Sequence, residues 1–415
     1  MSKVRVIDSM MGKGKTSWAI QNITLVDRHE KFLYVTPYLD EVERVLSACK
    51  KAMVHVSTPS IVKGNGSKSE HLKQLMKQGK NIVTTHALFD RIDEECLDVI
   101  RSQGYTLYMD EVHEVVKRHV MSDADLNMLI ESKCIEIDEK GKVSWVAEDY
   151  TGKFDEFKNL CNLGSMYKYS NWVYIWCFPI SIFEAMSKVY ILTYYFEGQI
   201  QSYYYKLHNI EYKLMDVYKS DGSNVYMIKD YDIIESCKEI RHVLKLINLY
   251  QGNLNYEEGI TLSSSWFDRA DKDVLKLLSN NTYNYFKNIV KGKSEDNMWT
   301  TLKAHKEKLK GKGYSKGFVE LNARATNKYK HKKNVAYVYN RYLNPIEKNF
   351  FISHGIVVNE ELYALAELLQ WIFRSQIREG KPINLYLPSK RMREKVYGLW
   401  VNLDELSKFD ETLSK

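Results

Sequence analysis

The chain has 415 residues, 27% of them charged and 44% hydrophobic, with a formal net charge of +7. A chain of this length buries two ordinary cores, so two domains, or one with large insertions, are expected, and the mild basic excess permits a nucleic-acid partner without demanding one. The six cysteines form no C-x-x-C pair and none has a histidine at finger spacing, which excludes a zinc finger and reads as free thiols in a reducing cytosol. No apolar run approaches the length of a membrane helix, about 18 residues, and Met1-Ser2-Lys3 leads straight into an apolar run with no signal peptide, so a cytoplasmic protein without a membrane partner is expected.

The first predicted strand is Val4-Ile7, and directly behind it stands "SMMGKGKTS". A phosphate loop needs a strand that stops abruptly, glycines that let backbone N–H groups converge on an anion, a lysine for the outer phosphates and a hydroxyl for magnesium. Here Gly12 and Gly14 flank Lys13, Lys15 reaches the β and γ phosphates, Thr16 ligates Mg²⁺, and Ser17 continues into a helix. Apolar runs then alternate with helical patterns, the mark of a parallel α/β sheet. The predicted strands are Phe32-Thr36, Met53-Ser57, Asn81-Thr84, Thr106-Met109 and Val189-Thr193.

"TLYMDEVHEVV" is the second constellation. A buried strand runs into Asp110-Glu111, which presents two acids at its carboxyl end, Asp110 to hold magnesium through water and Glu111 to polarise the attacking water. Between Met121 and Lys188 lies an insertion with a predicted hairpin, "CIEIDEKGKVSWV", turning at Asp138-Gly141. Its "SMYKYSNWVYIW" interleaves Tyr167, Lys168, Tyr169 and Trp172, which suits either a sheet core or a platform for single-stranded bases. The tyrosine-rich segment 200–235 reads as strands and a connector.

A second α/β unit begins near Cys237, with the helix "CKEIRHVLKLINLY", the strand "GITLSSSWF", a long helix from Arg269, the strands "GFVELNARA" and "NVAYVYN", a long helix from Asn359 and a last strand "INLYLP". The domains are therefore placed at 1–235 and 236–415, with the insertion at about 121–188. No Ser or Cys triad, H-E-x-x-H or clustered Cys/His site is visible.

With His113, the acids complete D-E-V-H, and here the sequence resembles the superfamily 2 helicases of the DEAD/DEAH-box kind. That resemblance implies two tandem RecA-like domains, ATP with Mg²⁺ as cofactors, and a nucleic acid as partner. "FLYVTPYLDEVERV" resembles motif Ia, so Thr36 and Pro37 would touch the nucleic-acid backbone. "NIVTTHALF" resembles the next strand-loop element, with Thr84, Thr85 and His86 at its tip. "VYILTYYFEGQ" resembles motif III, where Thr193, like His113, would couple ATP to the neighbouring domain. In the second domain Asn322, Arg324, Thr326 and Asn327 lie where motif V would. "QWIFRSQIR" resembles motif VI with the glycine replaced by Phe373, so Gln370 would meet nucleotide and Arg374 or Arg378 would act as the arginine finger. On one helix these three, spaced by four, share a face.

The style of "NARATN", "NRYLNP", "QWIFRSQIR" and "LPSKRMR" resembles divergent bacteriophage-encoded helicases, which implies DNA rather than RNA and the host cytoplasm. "PSKRMREK" reads equally as a phosphate contact or a solvated helix start. Only eight residues precede the loop, leaving no room for the upstream glutamine motif that reads adenine in DEAD-box proteins, so base selectivity is expected to be weak or to come from elsewhere. Three functions stay open: an ATP-dependent helicase or translocase, a branch-specific remodelling or annealing translocase, and an ATP-dependent protein-interaction switch. A protein partner that supplies specificity fits any of them.

Overall fold

The computed structural model describes residues 3–25, 30–64, 66–119, 121–147, 149–170, 173–256, 260–322 and 328–398, and the architecture is that of these residues. Its strands, in chain order, are β1 (Val4–Asp8), β2 (Phe32–Thr36), β3 (Ile82–Thr85), β4 (Thr106–Asp110), β5 (Val116–His119), β6 (Ile135–Ile137), β7 (Val143–Trp145) and β8 (Met166–Ser170). They continue with β9 (Val173–Cys177), β10 (Lys188–Thr193), β11 (Tyr212–Lys219), β12 (Tyr226–Asp230), β13 (Ile247–Leu249), β14 (Asn297–Thr300), β15 (Asn334–Tyr337) and β16 (Ile383–Tyr386). The chain divides into two compact units, one of Met1–Ser9, Gly14–Asp230 and Asn344–Val358, the other of Met10–Lys13, Tyr231–Leu343 and the described residues from Asn359 on. Each is α/β with a mainly parallel sheet flanked by helices, the RecA-like class expected.

In the first unit the strand order is β12-β11-β1-β10-β4-β2-β3, parallel except for the antiparallel edge strand β12. Strand alternation splits the core between the two faces. Val4, Val6, Leu33, Val35, Leu107, Met109, Val189 and Ile191 enter one cluster, whereas Ile7, Tyr34, Tyr108, Tyr190 and Leu192 enter the other. The tyrosines are in register, Tyr34 opposite Tyr108 and Tyr108 opposite Tyr190, and their rings stack with centroids 6.4 and 5.1 Å apart. Helix α1 (Lys15–Leu25) docks Trp18 on this aromatic face, 5.2 Å from Tyr190 and edge-on.

The insertion folds as an antiparallel sheet β5-β9-β8 with the β6-β7 hairpin beside it. The hairpin is the one read from "CIEIDEKGKVSWV". Asp138 builds its turn, accepting the N–H groups of Lys140 and Lys142 at 2.9 and 2.8 Å.

The second unit carries the all-parallel sheet β13-β16-β15-β14. An asparagine stands in register on every strand, and the four side chains form a ladder. Asn248 donates to Asn384 at 3.4 Å, Asn384 to Asn334 at 2.9 Å, Asn334 to Asn297 at 3.0 Å, and Asn297 to the Gly313 carbonyl at 2.9 Å.

Several predicted elements are corrected. Met53-Ser57 is no strand: Met53 is left-handed (φ 58°), and only Ser57 bridges to β3. "GITLSSSWF" turns at Leu262 (φ 53°), and Ser263 caps the helix Ser264–Arg269 by accepting the Trp266 N–H at 3.3 Å. Of "GFVELNARA", Phe318 makes one bridge to Trp299 of β14, the strand that reading missed. The end of "CKEIRHVLKLINLY" is β13, since its helix stops at Leu244. Segment 200–235 opens with a helix, Ile200–Leu207, before β11 and β12.

Candidate nucleotide site

β1 delivers Asp8 and Ser9 to the carboxyl edge of the first sheet, between β10 and β11. Each anchors the loop to one neighbour. Asp8 accepts the N–H groups of Tyr195 and Phe196 at 2.7 and 3.0 Å, beyond the end of β10. Ser9 donates its hydroxyl to Asp216 of β11 at 2.6 Å and accepts the Val217 N–H at 2.9 Å. Burial raises the Asp8 pKa, and the two backbone N–H groups and the Lys15 charge oppose that shift.

Beyond Ser9 the glycines take positive φ, 88° at Gly12 and 105° at Gly14. Lys13 donates its N–H to the Met10 carbonyl at 3.3 Å, and the Gly14 carbonyl accepts from Trp18 N at 2.8 Å, opening α1. Lys15 heads the helix and folds back to donate its ammonium to the Ser9 carbonyl. Thr16 and Ser17 occupy the first turn, half-buried. The glycine loop thus leads straight into the N-terminus of α1, the kind of backbone arrangement that can bind an anion.

Asp110 ends β4, separated from β1 by β10 in the sheet order, so the acids face the loop across the end of one strand. Burial, reinforced by the charges of Glu111 and Glu41, pushes its pKa up to about 7, with Lys15 and a 3.2 Å hydrogen bond from the Tyr34 hydroxyl opposing. Glu111 stands in the left-handed region (φ 66°) with its N–H on the Leu192 carbonyl at 2.9 Å. Tyr195, at the end of the adjacent β10, is left-handed too (φ 54°). Such conformations cost about 1 kcal/mol or more each and gather where the surroundings fix a side chain's direction. Asp110, buried with the charges of two other acids upon it and Lys15 as the opposing cation, is an oxygen ligand whose chemistry fits a divalent cation.

The histidines form one cluster. His86 Nε2 donates to the Asp110 carbonyl at 3.1 Å, and its ring meets the buried His113 edge-on at 5.0 Å. His113 contacts Asp90 through Nε2 at 2.7 Å, and Asp90 also accepts from Lys117 of β5 at 3.0 Å. Gln201 accepts the His113 N–H at 2.8 Å. D-E-V-H is thereby connected to the first strand of the insertion sheet.

Thr36 and Thr84 are fully inside the first core, whereas Pro37, Thr85 and His86 are half-buried at the strand ends. Thr193 is buried as the last residue of β10, and its carbonyl accepts the Ser9 N–H at 3.1 Å. Arg324, Thr326 and Asn327 lie outside the described residues, as does Trp172. The shared helical face expected of Gln370, Arg374 and Arg378 is corrected. The helix Glu360–Ile372 ends with Phe373 as its cap, so buried Arg374 sits past the helix and exposed Arg378 on the 3-10 turn Gln376–Glu379. In "PSKRMREK", Arg391 and Arg393 are committed within the unit, Arg391 to Asn340 at 2.8 Å and Arg393 to the Leu387, Pro388 and Tyr256 carbonyls at 3.0, 2.8 and 3.1 Å.

Sequence reading missed Asp8, Glu41, Tyr34, Asp90 and Gln201. Asp8 carried a signal, an acid ending an apolar strand as Asp110 does. The other four come from separate elements and meet only in the fold.

Fold and site together define a tandem α/β chain of RecA-like class with a glycine loop leading into a helix at one sheet edge. The chain belongs to the YonV family. It is 41% identical over 408 residues to the SPbeta prophage-derived uncharacterized protein YonV of Bacillus subtilis (strain 168), covering 95% of this chain and 98% of that protein. The family model described as the YonV C-terminal Rossmann-like domain matches residues 241–400, and that of the YonV middle domain matches 116–176. Among solved structures, Xpd4 of S. tokodaii aligns at 11% identity and TM-score 0.48 over 96% of this chain and 94% of that one. The DUF1998 helicase MrfA bound to DNA and AMPPNP aligns at 11% identity and TM-score 0.36 over 96% of this chain and 48% of that one.

Proposed function

We propose that this protein is an ATP-dependent nucleic-acid translocase or helicase that acts on DNA in phage replication or recombination. The observation that carries the reading is the convergence at one sheet edge of Gly14 and Lys15 with the buried Asp110 and the left-handed Glu111. The loop binds the phosphates, Thr16 and Asp110 hold Mg²⁺, and Glu111 orients the attacking water. Bound Mg²⁺ supplies charge neutralisation for phosphoryl transfer. Arg374 or Arg378 supplies positive charge to the γ-phosphate. Pro37, Thr85, His86, Arg324 and Thr326 contact the strand, His113 and Thr193 relay the state of the site, and the working domains divide near residue 235. The prophage origin of the YonV relative supports the phage setting.

Steady-state ATP hydrolysis, alone and with single-stranded, duplex and forked DNA and single-stranded RNA, tests this. Stimulation by one of them names the track, and unwinding of a tailed duplex separates a helicase from a branch-specific remodeller. The early end of the helix at Ile372, which removes the shared face of Gln370, Arg374 and Arg378, favours a second reading, an ATP-dependent protein-interaction switch. Equal turnover under every condition would select it.

A further inference from the structure

The hairpin β11–β12 is fastened to the phosphate-loop helix. Gln21 of α1 donates its amide to the Asn224 carbonyl at 2.7 Å and accepts the Tyr226 N–H at 2.8 Å. One side chain thus fixes two backbone points of the hairpin. The Tyr226 ring then rests on the second glycine of the loop. A Cβ added to Gly14 would stand 2.1 Å from its Cε1 and 2.5 Å from its Cδ1. The ring is half-buried and packs against the core of the aromatic sheet face. Just before it, residues Lys219–Asn224 line an open surface hollow of about 430 Å³. Asn224 is exposed, and its side-chain amide makes no hydrogen bond among the described residues.

We propose that this hairpin is the nucleobase subsite of the phosphate loop, with Tyr226 as the stacking platform and Asn224 as the reader of the base edge. The inference rests on the proposed ATP-binding reading and adds to it the source of base selectivity. A nucleotide whose phosphates lie in the Gly12–Thr16 loop has its base one ribose away, within reach of a ring that touches Gly14. A tyrosine face stacks any base. On the N7 edge of the base the Asn224 amide presents one donor and one acceptor, the complement of adenine's N7 and N6 amino group, whereas guanine's O6 and N7 on that edge are both acceptors. Adenine is therefore the preferred base.

Calorimetric titration of the full chain with Mg-ATP, Mg-GTP and inorganic tripolyphosphate tests the subsite. The wild type is expected to bind ATP more tightly than tripolyphosphate. Tyr226→Ala is expected to weaken ATP by about tenfold and leave tripolyphosphate unchanged, the size of a lost base stack. Tyr226→Phe should keep the ATP affinity, and Asn224→Ala should narrow the preference for ATP over GTP. Equal weakening of ATP and tripolyphosphate by Tyr226→Ala would reduce the ring to a prop for the loop and overturn the proposal. Equal wild-type affinity for the two would also overturn it while leaving the phosphate site standing. Failure of both ligands to bind the wild type, with Lys15→Ala no different, would instead remove the ATP reading itself.

Discussion

Lys15 is the residue on which the candidate chemistry turns, because its ammonium, held by the Ser9 carbonyl, is a cation already delivered to the glycine loop. Lys15→Ala is expected to abolish ATP hydrolysis. Glu111→Gln is expected to lower turnover by about a hundredfold or more while ATP still binds, since it removes a water-orienting base and keeps the shape. Steady-state rates and nucleotide titrations check both, and full activity in either variant would move the site. Asp110 gives a pH signature with a definite sign. An unfolded aspartate titrates near 4, whereas burial and neighbouring acids hold folded Asp110 at about 7. The folded state binds the proton more tightly, so the associated stability is complete below pH 4, is lost as pH rises to about 7, and stays lost above. Thermal melts in metal-free buffer at pH 5 and pH 8 should show a loss on the order of a few kcal/mol that Asp110→Asn removes. The same loss in Asp110→Asn would assign the proton elsewhere.

Two elements of the second unit have testable consequences. The asparagine ladder ties all four strands of its sheet through side chains that also need one another. Asn334→Leu strands the Asn297 oxygen and an Asn384 donor, each costing about 1–3 kcal/mol if buried without a partner. Urea unfolding should show that loss, and an unchanged midpoint would mean water replaces the ladder. The helix Glu360–Ile372 ends before both candidate finger arginines, leaving Arg374 buried and Arg378 exposed. Arg374→Ala is expected to lose hydrolysis and retain ATP affinity. Unchanged turnover in a folded variant would transfer the role to Arg378.

For the whole molecule the decisive quantity is the response of ATP turnover to nucleic acid. Backbone tracking predicts stimulation that is largely sequence-neutral and that weakens steeply as salt rises, because released counterions drive the binding. Turnover measured across a salt series with a saturating polynucleotide checks this, and a salt-independent rate would favour the switch. Much of this could be read directly from the chain, for reasons that were local. "SMMGKGKTS" and "TLYMD" are contiguous, so backbone freedom at glycine and an acid ending an apolar strand declare themselves, and the near-continuous apolar runs of β1, β2, β4 and β10 announce a sheet buried on both faces. The insertion hairpin was legible because Asp138 carries its own turn chemistry. The shared face of Gln370, Arg374 and Arg378 was misread because spacing by four implies a shared face only while a helix lasts, and Phe373 ends it. The sequence by itself thus determined the α/β class, the glycine loop behind β1 and the paired acids behind β4, all properties of short runs obeying backbone geometry. Only the tertiary structure decided that Asp8 and Ser9 anchor the loop to two neighbouring strands, that His86 and His113 meet beneath Asp110, and that Tyr226 lies on Gly14. Those contacts join residues far apart in the chain, and it is the packing of the sheet and its helices that brings them together.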